Sequence, residues 1–133
     1  MVGATGLLVT LIGREFYPSR LATIGGLLFA CSPLLLGIDN NASADQLTIL
    51  PATAALYAML HRRAFLAGVL IVTAAMTKTI VAPEALLLLC FSRIQWRSYL
   101  AGCLLVVTIV LLLFTALGIL TASYDALVTF NSE

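Results

Sequence analysis

The sequence predicts an all-α protein, a polytopic transmembrane helical bundle of about five to six membrane helices. Composition is the first observation: hydrophobic residues make up 62% of the 133, and mean hydropathy is +1.10. Second, only 10% of residues are charged, against about a quarter in a soluble domain. That is too little charge to cover a water-soluble fold of this size. Third, the charges fall in short clusters between apolar runs, and the clusters alternate in sign. Arg14 and Arg20, then Arg62 and Arg63, then Arg93 and Arg97 occupy alternate gaps, with Glu15 as their one acid. The other gaps hold Asp39, Asp45, Lys78, Glu84 and Asp125. Short arginine-bearing loops stay in the cytoplasm, so the alternation sets an orientation in a cell (inner or plasma) membrane. The acids and Lys78 then face the extracytoplasmic side.

The apolar segments read in order as Val2–Ile12, Leu21–Ile38, Asp45–Leu60, Phe65–Thr77, Ile80–Phe91 and Tyr99–Leu120. A helix rises about 1.5 Å per residue and the hydrocarbon core is about 30 Å thick, so a span takes about 20 residues. The second and sixth segments meet that length, and the third nearly does. The first is too short and reads as the end of a clipped helix. Phe65–Phe91 could be one long helix kinked near Pro83 or two short helices meeting at Lys78. The hairpin is preferred because it keeps all the arginines on one side and spares a lysine from the bilayer centre. Its short arms put Lys78 in a polar recess walled by protein.

Local signals fill in the rest. Pro18 breaks a cytoplasmic turn, and Ser32 with Pro33 kinks the second helix near its outer end. Pro51 is expected one turn into the third helix, where a missing N–H matters least. Asp45 is expected as its N-cap or first-turn acid. Trp96 and Tyr99 are expected at the cytoplasmic interface as an aromatic belt. Gly25, Gly26, Gly68 and Gly102 allow close helix contacts. Cys31, Cys90 and Cys103 lie inside apolar runs with no CxxC spacing and read as small buried hydrophobes. No secretory signal of the usual form precedes the first run.

Two places could carry chemistry. The stretch from Gly37 to Gln46, with Asp39, Asp45, Gln46 and three other amide or hydroxyl side chains, is the most polar in the chain. It is either a solvated turn with a cap, or a site that coordinates a divalent cation or hydrogen-bonds a sugar. Asn41-Ala42-Ser43 matches a glycosylation acceptor by pattern but lies close to the membrane. Lys78, flanked by Thr77 and Thr79, either snorkels to the outer interface or binds a lipid phosphate and stabilises it as a leaving group. His61, Arg62 and Arg63 serve topology and headgroup contact. There is no nucleophile–base pair, metal-ligand histidine cluster or phosphate-cradling glycine loop. No basic stripe exists to track nucleic acid.

Arg20-Leu21-Ala22, the run Phe29 to Pro33, Ala44-Asp45-Gln46, Leu66-Ala67-Gly68 and Ala75-Met76-Thr77-Lys78 occur in an order and approximate spacing that resembles a known family. It is the transmembrane core of polyprenyl-phosphate-sugar-dependent glycosyltransferases of the GT-C class, in the protein mannosyltransferase and lipid A aminoarabinose transferase branch. The resemblance covers roughly Thr5 to Leu120. It implies transfer of a sugar from a polyprenyl-phosphate donor to an extracytoplasmic acceptor. It also implies that Asp45 lines the cavity and that Lys78 lies near the donor phosphate. The general base of such enzymes is an acid in a long first outer loop, which would fall upstream of Met1. The chain then corresponds to a single transmembrane domain, 1–133, cut from a larger core. The alternatives are a small transporter, built like others around a broken helix pair, and a non-catalytic structural subunit bound to other membrane proteins.

Overall fold

The computed structural model describes residues 2–31, 44–78, 81–91 and 95–119. Among the described residues the regular structure is entirely helical, without strands. The helices are α1 (Val2–Phe16), α2 (Ser19–Ala30), α3 (Ala44–Leu60), α4 (Ala64–Thr77), α5 (Ala82–Phe91) and α6 (Trp96–Ala116). Each predicted apolar segment corresponds to one of them. α1 runs on through Gly13 and Arg14 to Phe16, and Pro18 then sets the chain at φ −54°, ψ 142° before α2.

Some boundaries differ from the sequence expectation. α2 ends at Ala30, with Cys31 closing it through an N–H···O bond to Leu27. A helix of 12 residues is about 18 Å long, well short of the predicted Leu21–Ile38 span. The Ser32–Pro33 pair, expected to kink this helix, lies outside the described residues. Pro51 stands two turns into α3 instead of one, because the helix begins at Ala44. Its ring removes the N–H that would otherwise reach the Leu47 carbonyl. Pro83 stands in the first turn of α5, where a missing N–H costs little, and not at a kink in one long helix.

Lys78 interrupts the helix. Its backbone is extended (φ −152°, ψ 117°), its N–H closes α4 on Ala74, and its carbonyl accepts from Val81. Close crossing of α4 and α6 then fixes the path of α5. A Cβ on Gly68 would overlap the Tyr99 carbonyl oxygen, and one on Gly102 would overlap that of Phe65. Cys103 donates its S–H to the Gly68 carbonyl at 3.7 Å. The starts of α4 and α6 are therefore level. The Tyr99 hydroxyl donates to the Ala85 carbonyl at 2.8 Å. Had α5 continued α4, Ala85 would lie about 25 Å beyond Gly68. α5 therefore folds back beside α4.

The remaining contacts complete an up-and-down order. Gly6 and Gly26 cross in α1 and α2, where a Cβ on Gly26 would meet the Gly6 carbonyl oxygen at 2.6 Å. Gly13 approaches Ala22 in the same hairpin, so the two helices are antiparallel. α1 also packs on α3, α3 on α4, and α5 on both α3 and α4. The buried core is mostly alanine (Ala55, Ala58, Ala64, Ala67, Ala74) around Ile71, Val81, Leu88 and Tyr99. Gly25 has no atom within 4 Å of a built Cβ and makes no close contact. Tyr99 is 2% exposed, so it is a core residue instead of a belt residue; Trp96 is exposed with Arg97 over its ring. Cys31 and Cys90 are exposed, and only Cys103 is partly buried. Cys31 is the residue that caps α2, and Cys90 is on the outward face of α5.

Gly68→Val drives its side chain into the Tyr99 carbonyl and should cost about 1–3 kcal/mol, read as a lower midpoint of thermal unfolding in detergent. Gly25→Ala should leave the midpoint unchanged or raise it slightly. Equal behaviour of the two variants would mean that the α4–α6 crossing is not tight.

Candidate functional site

The packing sorts the charges onto two ends. α3 closes in a tight turn in which Arg62 N–H bonds to Met59 and Arg63 N–H to Ala58. Arg62 takes the left-handed conformation there (φ 57°), where an L-residue costs roughly 1–2 kcal/mol more than its ordinary geometry. At the end of α6 the same pattern has Gly118 at that position, φ 67°. Glu15 at the end of α1 lies 4.0 Å from His61 at the end of α3, and the His61 ring packs at 4.3 Å from Tyr57. α4 and α6 start level with one another, so Arg63 and Arg97 share an end. Arg14, Arg20, Arg62, Arg63 and Arg97 are thus together; Arg93 is outside the described residues.

The opposite end carries the start of α3, the break at Lys78 and the start of α5. Lys78 is exposed there, instead of being walled in a recess. The α4 helix stops at Thr77, whose hydroxyl donates to the Thr73 carbonyl at 3.1 Å. Asp45 and Gln46 belong to the first turn of α3 by backbone, so Asp45 is a first-turn acid and not the residue before the helix. The side chains of Asp45 and Gln46 lie outside the described residues, as does Asp39 with the rest of its loop. Among the described residues no three His, Cys, Asp or Glu side chains converge on a metal position.

A cavity of about 390 Å³ opens beside this end, between α3 and α5. Ile49, Ala52, Thr53 and Leu56 form one wall, and Glu84, Leu87 and Leu88 the other. Glu84 is its one charged lining residue, in the first turn of α5, where the helix dipole suits an acid. Thr53 has its hydroxyl committed to the Ile49 carbonyl at 2.7 Å. The cavity therefore suits an aliphatic chain with a polar group near Glu84. From the sequence Glu84 is only one of the acids in the non-arginine gaps, and the groove is not apparent. The signal was present as a stripe at i, i+3, i+4 and i+7 from Ile49 to Leu56.

α6, with 21 residues and a mean hydropathy of 2.5, is long and apolar enough to cross a bilayer; among the described residues no other helix is. No protein-family model matches the sequence, and no curated protein or solved structure is significantly similar to it.

The groove makes neighbouring alanines behave differently. Ala52→Leu places added methyls in open space and should change stability by less than about 1.5 kcal/mol. Ala55 is 0% exposed, so Ala55→Leu should cost about 1–3 kcal/mol. Denaturant or thermal unfolding of the two variants in one detergent checks this, and matching losses would exclude an open groove.

Proposed function

We propose that this chain is a multi-pass membrane domain, part of the transmembrane core of a GT-C class glycosyltransferase that takes sugar from a polyprenyl-phosphate donor. The observation that carries the reading is the position of Lys78, exposed at a helix break on the end opposite all described arginines. The arginine end is cytoplasmic by the positive-inside rule, and Lys78 is extracytoplasmic.

Packing supports the bilayer setting. The helix contacts are glycine and alanine, while Leu7, Leu27, Leu28, Leu104 and Leu112 are each at least 60% exposed. That is the arrangement expected where lipid, not water, surrounds the bundle. Thr10, Thr23, Thr53, Thr73, Thr77 and Thr115 each donate to the carbonyl four residues earlier, at 2.6–3.1 Å. Hydroxyls satisfied within their own helix can face hydrocarbon without penalty. α4 and α5, of 14 and 10 residues, are about 21 and 15 Å long. Their junction therefore sits below the outer edge of a hydrocarbon core about 30 Å thick, so a donor phosphate must be drawn into the bundle to meet Lys78.

In this reading Lys78 binds the donor phosphate, and Asp45, with Asp39 and Gln46, orients the sugar or a divalent cation. Transfer breaks the bond from the sugar's anomeric carbon to the phosphate oxygen and forms one to an acceptor hydroxyl oxygen. The bonding pair leaves with the polyprenyl phosphate, where the ammonium stabilises the growing charge. The acceptor proton goes to a general base. The broken helix also favours a second reading, a small transporter with its site at the break. Uptake of solute by the chain in liposomes would mark that reading.

Lys78→Ala should weaken binding of a polyprenyl phosphate to the chain in nanodiscs by about 10–100-fold, the value of one charge-assisted hydrogen bond. Binding within twofold of wild type would sink the role of Lys78. In cells expressing cysteine-free chain, Lys78→Cys should react with a membrane-impermeant maleimide from outside and Arg63→Cys should not. Labelling of both from one side would overturn the topology.

A further inference from the structure

We propose that the cleft between the ends of α1 and α2 is a binding site for an anionic phospholipid, with its phosphodiester held by Arg14 and Arg20. The cleft measures about 410 Å³ and is lined by Arg14, Ser19, Arg20, Thr23 and Ile24. Two guanidiniums from successive helices face one space, and each is a planar fork matched to phosphate oxygens. Among the described residues neither guanidinium has a protein acid as its partner. Glu15, the acid next to Arg14 in sequence, is instead set against His61 on α3. Both guanidiniums are therefore available to an anion from outside the chain. The Ser19 hydroxyl is exposed on its floor and can donate to a further phosphate oxygen.

An apolar track continues from the cleft. Leu21, Ile24 and Leu28, at i, i+3 and i+7, are 58%, 53% and 69% exposed along one face of α2. This face leads away from the arginine end toward the middle of the bundle. Phe16 and Tyr17 are exposed at the turn beside the arginines, at the level where aromatic rings meet headgroups. A free phosphate compound would satisfy the arginines but leave the aliphatic track bare. A phospholipid covers both with one molecule, its headgroup on Arg14 and Arg20 and its acyl chain along α2.

This inference rests on the bilayer setting proposed above, and two arms of one experiment separate them. The purified chain is first floated with phosphatidylcholine vesicles, which test insertion without anionic lipid. It is then titrated in detergent with phosphatidylglycerol, phosphatidylcholine and glycerol phosphate, and bound lipid is counted by native mass spectrometry. Wild type should retain phosphatidylglycerol preferentially and ignore glycerol phosphate. Arg14→Gln with Arg20→Gln should weaken that retention about thirtyfold, at about fivefold for each arginine. Arg62→Gln with Arg63→Gln removes equal charge from the same end and should leave it within about fivefold. Equal losses in the two pairs would overturn the site, as would a chain that floats but shows no preference for phosphatidylglycerol. A chain that fails to float overturns the bilayer setting, and the lipid site with it. Flotation of each variant excludes misfolding as the cause of a lost lipid.

Discussion

The crossing of α4 and α6 at Gly68 and Gly102 is the contact on which the arrangement depends. Without side chains at these positions, backbone meets backbone, and the Tyr99 hydroxyl can reach across to the Ala85 carbonyl. That hydrogen bond ties the short α5 to the start of α6, in addition to its packing on α3 and α4. The chain must then turn back after Lys78, so the lysine is left at the end of the bundle and not within a continuous helix. Any larger residue at either glycine would push the helices apart and release α5 together with the position of Lys78.

Close packing by small residues also settles what faces outward. Alanine and glycine fill the contacts, and the leucines that would form the interior of a water-soluble bundle are on the exterior. Ile71 and Tyr99 are the large side chains fully buried among the described residues. Among the described residues much of the apolar area sits outside, so hydrophobic burial contributes less here than close helix contact. Van der Waals contact between close backbones, with lipid as the proposed surroundings, accounts for the same arrangement.

Charge placement is maintained even where it works against local geometry. Arg62 adopts a left-handed turn that glycine would enter freely, as Gly118 does at the end of α6. The turn keeps two successive arginines on the end that also holds Arg14, Arg20 and Arg97. Glu15, the acid among them, is set against His61 and joins α1 to α3. The opposite end carries Lys78 at the helix break, and Glu84 near it lines the apolar groove.

Much of this was legible in the residues. Periodic apolar runs, Pro18, and the alternating charge clusters located all six helices and separated the two ends, because length, hydropathy and charge are local properties. The interruption at Lys78 was expected from keeping the arginines on one side and a lysine away from the bilayer centre. What the sequence could not decide was which glycines and aromatics meet a neighbour. Gly25 and Gly26 are adjacent and chemically identical, yet one is open and the other closes the α1–α2 crossing, since helix rotation is set by the partner. Tyr99 resembles an interfacial aromatic until the crossing beside it buries the ring and supplies Ala85 as its acceptor. The groove under Glu84 and the cleft between Arg14 and Arg20 likewise exist only once separate helices are brought together. Helical elements and the grouping of charge between them were therefore determined by the sequence itself, and contact and cavity by tertiary packing, because only packing fixes which faces of the helices oppose one another.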